Sequence, residues 1–196
     1  MNNKLDISVV VPLYNEAESL PELVAWIDRV AVSHGYAYEV ILVDDGSSDG
    51  SWEVVESLRE KSPAIRGIGF ARNYGKSAAL YCGFAAAEGE VVITMDADLQ
   101  DDINVIDRFV EKYMEGCDVV YGVRNKRETD TFFKRTTAEG FYKFMKILGV
   151  DVVFNHADYR LMSRRALEGL SEYKEVNLFL RGIVPVSYTH LRAHET

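Results

Sequence analysis

The sequence predicts an α/β protein, a three-layer sandwich around a mainly parallel central sheet. Apolar runs of strand length recur along the 196 residues, and helix-like stretches separate most of them. Polar clusters follow four of these runs, as expected where parallel strands end at one edge of a sheet. The length and composition are those of one ordinary globular domain with a well-buried core.

Five strands and four helices are predicted in chain order. The strands cover residues 7–13, 39–43, 65–70, 91–95 and 118–123, with the sequences ISVVVPL, EVILV, IRGIGF, VVITM and DVVYGV. The helices cover residues 18–33, 51–61, 76–88 and 103–115. The second and fourth helices follow the start signals SSDGSWE and DLQDDIN, whose serine and aspartate side chains can cap exposed N–H groups.

Charge and hydropathy exclude several classes of protein. Lysine and arginine total 22 against 31 acidic residues, so a formal charge of −9 argues against binding nucleic acid through bulk charge. Cys82 and Cys117 lack metal-binding spacing, which suits a reducing compartment. The first six residues do not resemble a signal peptide, and no apolar run approaches the roughly 18 residues that span a bilayer. We therefore expect a cytoplasmic chain.

The polar clusters PLYNE, DDGSSDGS, ARNYGK and DADLQD follow the first four strands, where open α/β sheets bind ligands. Neither a dinucleotide fingerprint nor a P-loop is present. Asp96 and Asp98 leave the fourth strand with one residue between them, and such a pair favours Mg²⁺ or Mn²⁺ bound through oxygen. Alternatively, the acids of this cluster cap the following helix.

Five motifs in register resemble the inverting family 2 glycosyltransferases, which have the GT-A (Rossmann-like) fold. They are VVVPLYNE, ILVDDGSSDGS, ARNYGKSAAL, MDADLQD and ADYRLMSRRAL, and the resemblance covers about residues 5–185. Within the family, the motifs are most similar to those of enzymes that load a sugar onto polyprenyl or dolichyl phosphate. The resemblance implies a nucleotide-diphosphate sugar as donor, linked to UDP or GDP, and polyprenyl phosphate as acceptor.

The same resemblance implies a role for each donor-site residue. The predicted nucleotide-sugar site consists of Pro12, Tyr14, Glu16, Asp45, Lys76 and Asp96. In this site Asp45 contacts the base, and Asp96 and Asp98 meet the ribose and the metal-bound diphosphate. Lys76 can neutralise the diphosphate from the start of its helix. The alternatives are a turn and helix cap for DDGSSDGS, and a solvated surface lysine for Lys76.

Residues 124–146 carry seven basic and three acidic side chains, a local basic excess in an acidic chain. On a helical wheel the apolar residues share one face and several basic residues fall on the other. This pattern fits a helix in a membrane interface, or a helix packed on its own domain. The resemblance implies that this region binds the lipid phosphate at the membrane surface, with Arg124, Arg127 and Arg135 holding the acceptor phosphate.

The catalytic candidates are Asp158 and Asp98. Asp158, in NHADYRLMS, matches the position of the family's proposed base. However, a phosphate monoester has a second pKa of about 6 and is mostly a dianion at neutral pH, so it hardly needs a base. A sugar hydroxyl acceptor would need one. Asp158 alternatively orients Arg160 or water, or is a plain acid at the edge of a strand.

These observations predict a catalytic domain over residues 1–185, shorter at its C-terminus than relatives, followed by a non-native or disordered tail over residues 186–196. The expected reaction is metal-dependent, inverting transfer of a sugar to polyprenyl phosphate at the inner face of the membrane. Two alternatives stay open: transfer to a hydroxyl in polysaccharide or glycolipid synthesis, and an inactive nucleotide-sugar-binding domain. A phospho-receiver is disfavoured, because its acidic pair follows the first strand and Asp44 and Asp45 follow the second.

Overall fold

The computed structural model describes residues 5–123, 156–171 and 192–195 of the chain. The strands in this part are β1 (Ile7–Leu13), β2 (Tyr38–Asp44), β3 (Ile65–Gly69), β4 (Val91–Thr94), β5 (Val119–Val123), β6 (His156–Ser163) and β7 (Arg192–Glu195). The helices are α1 (Leu20–His34), α2 (Ser51–Lys61), α3 (Lys76–Ala86), α4 (Ile106–Met114) and α5 (Arg164–Ser171). A short 3-10 turn, Ile103–Val105, leads into α4.

The strands form one sheet in the order β3-β2-β1-β4-β6-β5-β7. β1 pairs in parallel with β2 and β4, β2 pairs in parallel with β3, and β5 pairs in parallel with β7. β6 runs antiparallel to both of its neighbours, β4 and β5. The prediction of an α/β protein with a mainly parallel sheet is confirmed.

Each face of the sheet is covered by its own apolar core. On one face, buried side chains of β1 and β2 pack against α1, α2 and α4, with Leu23 and Phe109 almost fully buried. On the other face, Val10 and Ile41 pack with α3 and α5. Burial on both faces explains why the parallel strands are nearly continuous apolar runs. The two cores make the three layers that the sequence predicts.

The predicted bounds of most elements differ from the observed bounds by one or two residues. β1 and α2 begin and end as predicted. The helix predicted over residues 103–115 is instead the 3-10 turn followed by α4, because the Asp102 side chain accepts a hydrogen bond from the Asn104 N–H and tightens the first turn. β6 and α5 were not predicted as elements. Four residues of the predicted tail form β7, while the extent of the domain stays a prediction.

A hydrogen-bonded network at the amino ends of the strands, which we call the amino-end network, consists of Ser8, Glu39, Arg66 and Glu88. The Glu39 side chain is 4% exposed and accepts from Ser8 Oγ at 2.6 Å, Arg66 Nη1 at 2.7 Å and the Glu88 N–H at 2.7 Å. Arg66 also pairs with Glu88, whose side chain is 68% exposed. Hydrogen-bond donors therefore surround the buried carboxylate.

Within residues 5–123, 156–171 and 192–195, no helix has both the length and the apolar character needed to cross a membrane.

Candidate active site

A cleft of about 390 Å³ opens at the carboxyl ends of β1 and β4. These strands are neighbours, but the chain leaves β1 toward β2 on one side and returns to β4 on the other. Such a switch in strand order leaves a crevice between the diverging loops, where α/β proteins bind ligands. The cleft brings together all seven predicted donor-site and metal residues: Pro12, Tyr14, Glu16, Asp45, Lys76, Asp96 and Asp98.

Lys76 lies between two acids in this cleft. It is the first residue of α3, and its Nζ lies 2.5 Å from Asp96 Oδ1 and 2.8 Å from Asp158 Oδ2. Burial alone would lower the pKa of Lys76, but hydrogen bonds to Asp158 and Asp96 outweigh burial and raise that pKa above its ordinary value. The Lys76 ammonium therefore neutralises part of the acidic cluster.

Asp158 reaches the site from β6, the antiparallel neighbour of β4. Its side chain is 8% exposed, and its backbone carbonyl accepts a hydrogen bond from the Thr94 hydroxyl. Arg160, which is fully buried, places Nη2 3.9 Å from Asp158 Oδ1. The nearly buried Asp158 carboxylate thus has two cations close to it, the half-exposed Lys76 and the fully buried Arg160.

The loop after β4 is held by its own side chains and by β6. The Asp96 N–H donates to Asp101 Oδ2 at 3.2 Å, and the Gln100 N–H donates to Asp98 Oδ1 at 3.1 Å. Tyr159 Oη donates to the Asp102 carbonyl at 3.1 Å. The helix-capping role considered for these acids belongs to Asp102, whereas Asp96 and Asp98 face the cleft.

Most side chains of the loop after β2 stabilise the loop itself and the start of α2. This agrees with the alternative prediction of a turn and helix cap for DDGSSDGS. Asp44 accepts from the Ser47 N–H at 2.9 Å and from the Ser47 hydroxyl, while Asp49 accepts from the N–H and hydroxyl of Ser51 at the start of α2. Ser51 in turn accepts from the Glu16 N–H at 2.9 Å. These bonds fasten the loop after β1, and with it Glu16, to the start of α2.

Asp45 differs from the rest of that loop because it binds another loop. Its two carboxylate oxygens accept from the backbone N–H groups of Tyr74 and Gly75 at 2.7 and 2.8 Å. At the neighbouring Gly46, with φ +76°, an added Cβ would lie 2.5 Å from the Arg72 carbonyl carbon. The loops after β2 and β3 are thus in direct backbone contact, and Asp45 fixes the residues that precede Lys76.

Asn73, Gly75 and Ala97 also line the cleft, although the sequence pattern assigned them no role. Asn73 and Gly75 both belong to the ARNYGK cluster. The position of this cluster after β3 was the signal that could have identified them as lining residues. Ala97 lies between the paired acids and its side chain is buried.

The chemistry of the acids fits a hard divalent cation. Asp96 and Asp98 offer carboxylate oxygens in one cleft, and Mg²⁺ in particular binds through one or two carboxylates while keeping other positions for water and phosphate. No group of three or more His, Cys, Asp or Glu side chains suited to a metal occurs among the residues that the structure describes.

Several predictions fall on residues that the structure leaves undescribed. Arg124, Arg127 and Arg135, the predicted acceptor-phosphate residues, lie outside the described ranges, as does the basic amphipathic segment around them. Their roles stay predictions.

Comparison with known proteins assigns the family. The chain belongs to glycosyl transferase family 2, because the model of that family matches residues 8–171. It is 48% identical to the uncharacterized glycosyltransferase YkoT of Bacillus subtilis, covering 92% of this chain and 56% of YkoT. It is 39% identical to the bactoprenol glucosyl transferase of Shigella phage SfV, covering 92% of this chain and 59% of that protein. The chain thus spans little more than half the length of these relatives.

Solved structures confirm the GT-A fold. Mannosyl-3-phosphoglycerate synthase from Rubrobacter xylanophilus superposes with a TM-score of 0.63 at 18% identity, covering 83% of this chain and 55% of that one. Glucosyl-3-phosphoglycerate synthase from Mycobacterium tuberculosis, in complex with Mn²⁺, UDP-glucose and phosphoglyceric acid, gives a TM-score of 0.60 at 20% identity, covering 83% and 57%. At these identities the likeness concerns the fold.

Proposed function

We propose that this chain is the catalytic part of a glycosyltransferase that moves a sugar from a nucleotide-diphosphate sugar to polyprenyl phosphate, with inversion. The observation that carries the proposal is the cleft at the switch in strand order, which gathers a metal-compatible acid pair and a lysine between two acids. The 39% identity to a bactoprenol glucosyl transferase supports the lipid phosphate as acceptor. The family membership supports the transfer of a sugar.

The donor, linked to UDP or GDP, would lie along the cleft from the end of β1 to the end of β4. Pro12, Tyr14 and Glu16 would surround the nucleoside, and the Tyr14 side chain, about half exposed, offers an aromatic face to a base. Asp45 would meet the base through carboxylate lone pairs beyond those that bind the backbone of Tyr74 and Gly75.

The diphosphate would lie near Lys76 and the paired acids. Asp96 and Asp98 would hold Mg²⁺ or Mn²⁺, which stabilises the charge that develops on the leaving nucleotide diphosphate. The Mycobacterium tuberculosis complex, with Mn²⁺ and UDP-glucose on the same fold, supports this assignment. Lys76, at the start of α3, can pair with the diphosphate where free backbone N–H groups also favour anions.

The acceptor phosphate would be held by Arg124, Arg127 and Arg135, and the reaction would take place at the inner face of the membrane, where the lipid lies. With this acceptor, Asp158 has little need to remove a proton, since the phosphate is already mostly a dianion at neutral pH. Its ion pair with Lys76 and its distance to Arg160 support a role in positioning these cations.

A second candidate function is transfer to a sugar hydroxyl. The buried carboxylate of Asp158, close to Lys76, supports it because a hydroxyl acceptor needs a general base. Incubation with UDP- and GDP-linked sugars and either polyprenyl phosphate or oligosaccharide, followed by mass spectrometry, separates the two. A glycosylated polyprenyl phosphate supports the first function, and a lengthened oligosaccharide supports the second.

The metal assignment is tested by calorimetry with UDP and GDP, in Mn²⁺ and in EDTA. Nucleotide affinity should require the metal, because Asp96 and Asp98 otherwise repel the diphosphate. Asp98→Asn should abolish the metal-dependent part while leaving the fold intact, since it removes charge at nearly constant volume. Asp102→Asn is the matched control, because Asp102 lies in the same loop but caps the Asn104 N–H, which asparagine can also do. Equal affinity in Mn²⁺ and EDTA would contradict the assignment.

A further inference from the structure

Beyond pairing with a diphosphate, Lys76 has a second role that its two acid partners indicate. We propose that Lys76 is a built-in counter-ion of the donor site: its ammonium holds Asp96 and Asp158 together and disfavours metal binding until a nucleotide binds. When the donor binds, the Lys76 ammonium leaves Asp96 and pairs with the diphosphate. This inference rests on the proposed function, because it assumes that the cleft binds a metal-bound nucleotide sugar.

The first support is the position of the ammonium. Its distances of 2.5 Å to Asp96 and 2.8 Å to Asp158 are those of charge-assisted hydrogen bonds. One of these acids follows β4 and the other belongs to β6, so Lys76 connects two separate strands of the sheet. A metal ion bound to Asp96 would meet a positive charge already in contact with that carboxylate.

The second support is electrostatic. An ammonium on Asp96 offsets one of the negative charges that attract a divalent cation, and two cations close together repel one another in a partly buried cleft. The Asp96 side chain is 30% exposed and that of Asp158 is 8% exposed, so water screens these charges incompletely. Without a diphosphate to receive the ammonium, metal binding has to overcome this repulsion.

The third support is that hydrogen bonds anchor the backbone just before Lys76, whereas its side chain is partly exposed. Asp45 holds the N–H groups of Tyr74 and Gly75, the two residues before Lys76, at 2.7 and 2.8 Å. The Lys76 side chain itself is 41% exposed and lines the cleft. We therefore expect a rotamer change of this long side chain, without a backbone shift, to carry the ammonium from Asp96 to a diphosphate.

The counter-ion role predicts effects of opposite sign on two affinities. Lys76→Met removes the charge and keeps much of the side-chain length. We expect the nucleotide-free protein to bind Mn²⁺ about tenfold more tightly, because the competing cation is gone. We expect the same variant to bind UDP in the presence of Mn²⁺ about tenfold more weakly, because the diphosphate loses a charge-assisted partner. Mn²⁺ alone is measured by electron paramagnetic resonance, and UDP with Mn²⁺ by calorimetry.

Two further variants control for changes in the fold. Lys76→Arg keeps the charge and should keep the weak Mn²⁺ affinity of the wild-type protein. Lys112→Met removes a lysine that also pairs with a carboxylate, Glu115 at 2.7 Å, but outside the residues lining the cleft, so both affinities should stay unchanged. Circular dichroism checks the fold of each variant, and Lys76→Gln replaces the methionine variant if that variant fails to fold.

The two proposals fail in different ways. Unchanged or weaker Mn²⁺ binding by nucleotide-free Lys76→Met or Lys76→Gln would overturn the counter-ion role, even if the wild-type protein binds UDP with Mn²⁺ as expected. Mn²⁺ binding by Lys76→Arg as tight as that expected for Lys76→Met would also overturn the counter-ion role. If the wild-type protein bound neither UDP nor GDP in Mn²⁺, the proposed function would fail instead.

Discussion

At the amino ends of the strands Arg66 joins Glu39 to Glu88, and at the carboxyl ends Lys76 joins Asp96 to Asp158. In both clusters one cation bridges two carboxylates. At the amino end, the buried acid also accepts from a serine hydroxyl and a backbone N–H, and the second acid is in water. At the carboxyl end, Asp96 and Lys76 line an open cleft together with Asp98, a further acid.

The difference shows what separates a structural ion pair from a candidate site. Two neutral donors and the Arg66 guanidinium satisfy the buried carboxylate of the amino-end network, which leaves it little attraction for a ligand. The cleft instead concentrates negative charge, and one lysine balances only part of it. The remaining negative charge attracts further cations. Changes in the amino-end network should therefore affect stability, and changes in the cleft should affect ligand binding.

The largest expected effect on stability comes from Glu39→Ala. It leaves the Ser8 hydroxyl, the Glu88 N–H and Arg66 without their buried acceptor, which should lower the free energy of unfolding by about 3 to 5 kcal/mol. Urea denaturation measures this. Glu88→Ala, which truncates the exposed acid of the same network, should cost less than about 1 kcal/mol. Nucleotide affinity of folded Glu39→Ala should equal that of the wild type, and a clear loss would break the comparison.

A smaller effect is expected for Tyr159→Phe, which removes the hydrogen bond from β6 to the Asp102 carbonyl. It should cost about 1 kcal/mol of stability, the typical net value of one such bond. Metal-dependent UDP affinity should also fall, because the loop that carries Asp98 loses an anchor. Tyr36→Phe removes a hydroxyl that contacts Asp107 on α4 and should leave UDP affinity unchanged. Equal UDP affinity in the two variants would show that the loop is held without Tyr159.

The smallest effect is expected at a surface ion pair outside both regions. Lys112 Nζ lies 2.7 Å from Glu115 Oε2, three residues further along the chain. Lys112→Met should change the free energy of unfolding by less than about 0.5 kcal/mol, since a partly exposed pair of this spacing contributes little and methionine keeps much of the apolar stem of the lysine. Thermal or urea denaturation checks this value. A larger change would contradict the comparison. It would mean that a short ion-pair distance stabilises this fold even where the pair lacks the burial and the additional hydrogen-bond donors of Glu39.

The sequence was enough to predict most of the described fold and to group, in one cleft, the residues predicted to bind the donor. Parallel strands bring their carboxyl ends to one edge, so clusters after β1, β2, β3 and β4 had to meet once the alternation of strands and helices was recognised. The apolar runs of β1 and β2 are long and bounded by polar turns, which is why their bounds agree closely with the prediction.

The contacts of Lys76 and Asp45 could not be predicted in this way. Lys76 reaches Asp158 because β6 lies antiparallel beside β4, and no local pattern in residues 156–163 specifies that position. Asp45 binds the backbone N–H groups of Tyr74 and Gly75, and a backbone N–H carries no signature of its own in a sequence. Both contacts depend on tertiary packing between segments far apart in the chain.

The position of β6 also has a consequence for the order in which this protein folds. β4 and β5 follow one another in the sequence but do not pair, because β6 lies between them. During synthesis, β5 emerges from the ribosome before the strand that joins it to β4, and contacts of such large sequence separation form slowly. The acidic loop after β4 and the loop carrying Lys76 are therefore made while Asp158 is still untranslated. The complete charge constellation of the cleft therefore cannot exist before residues 156–163 have been made and have paired with β4.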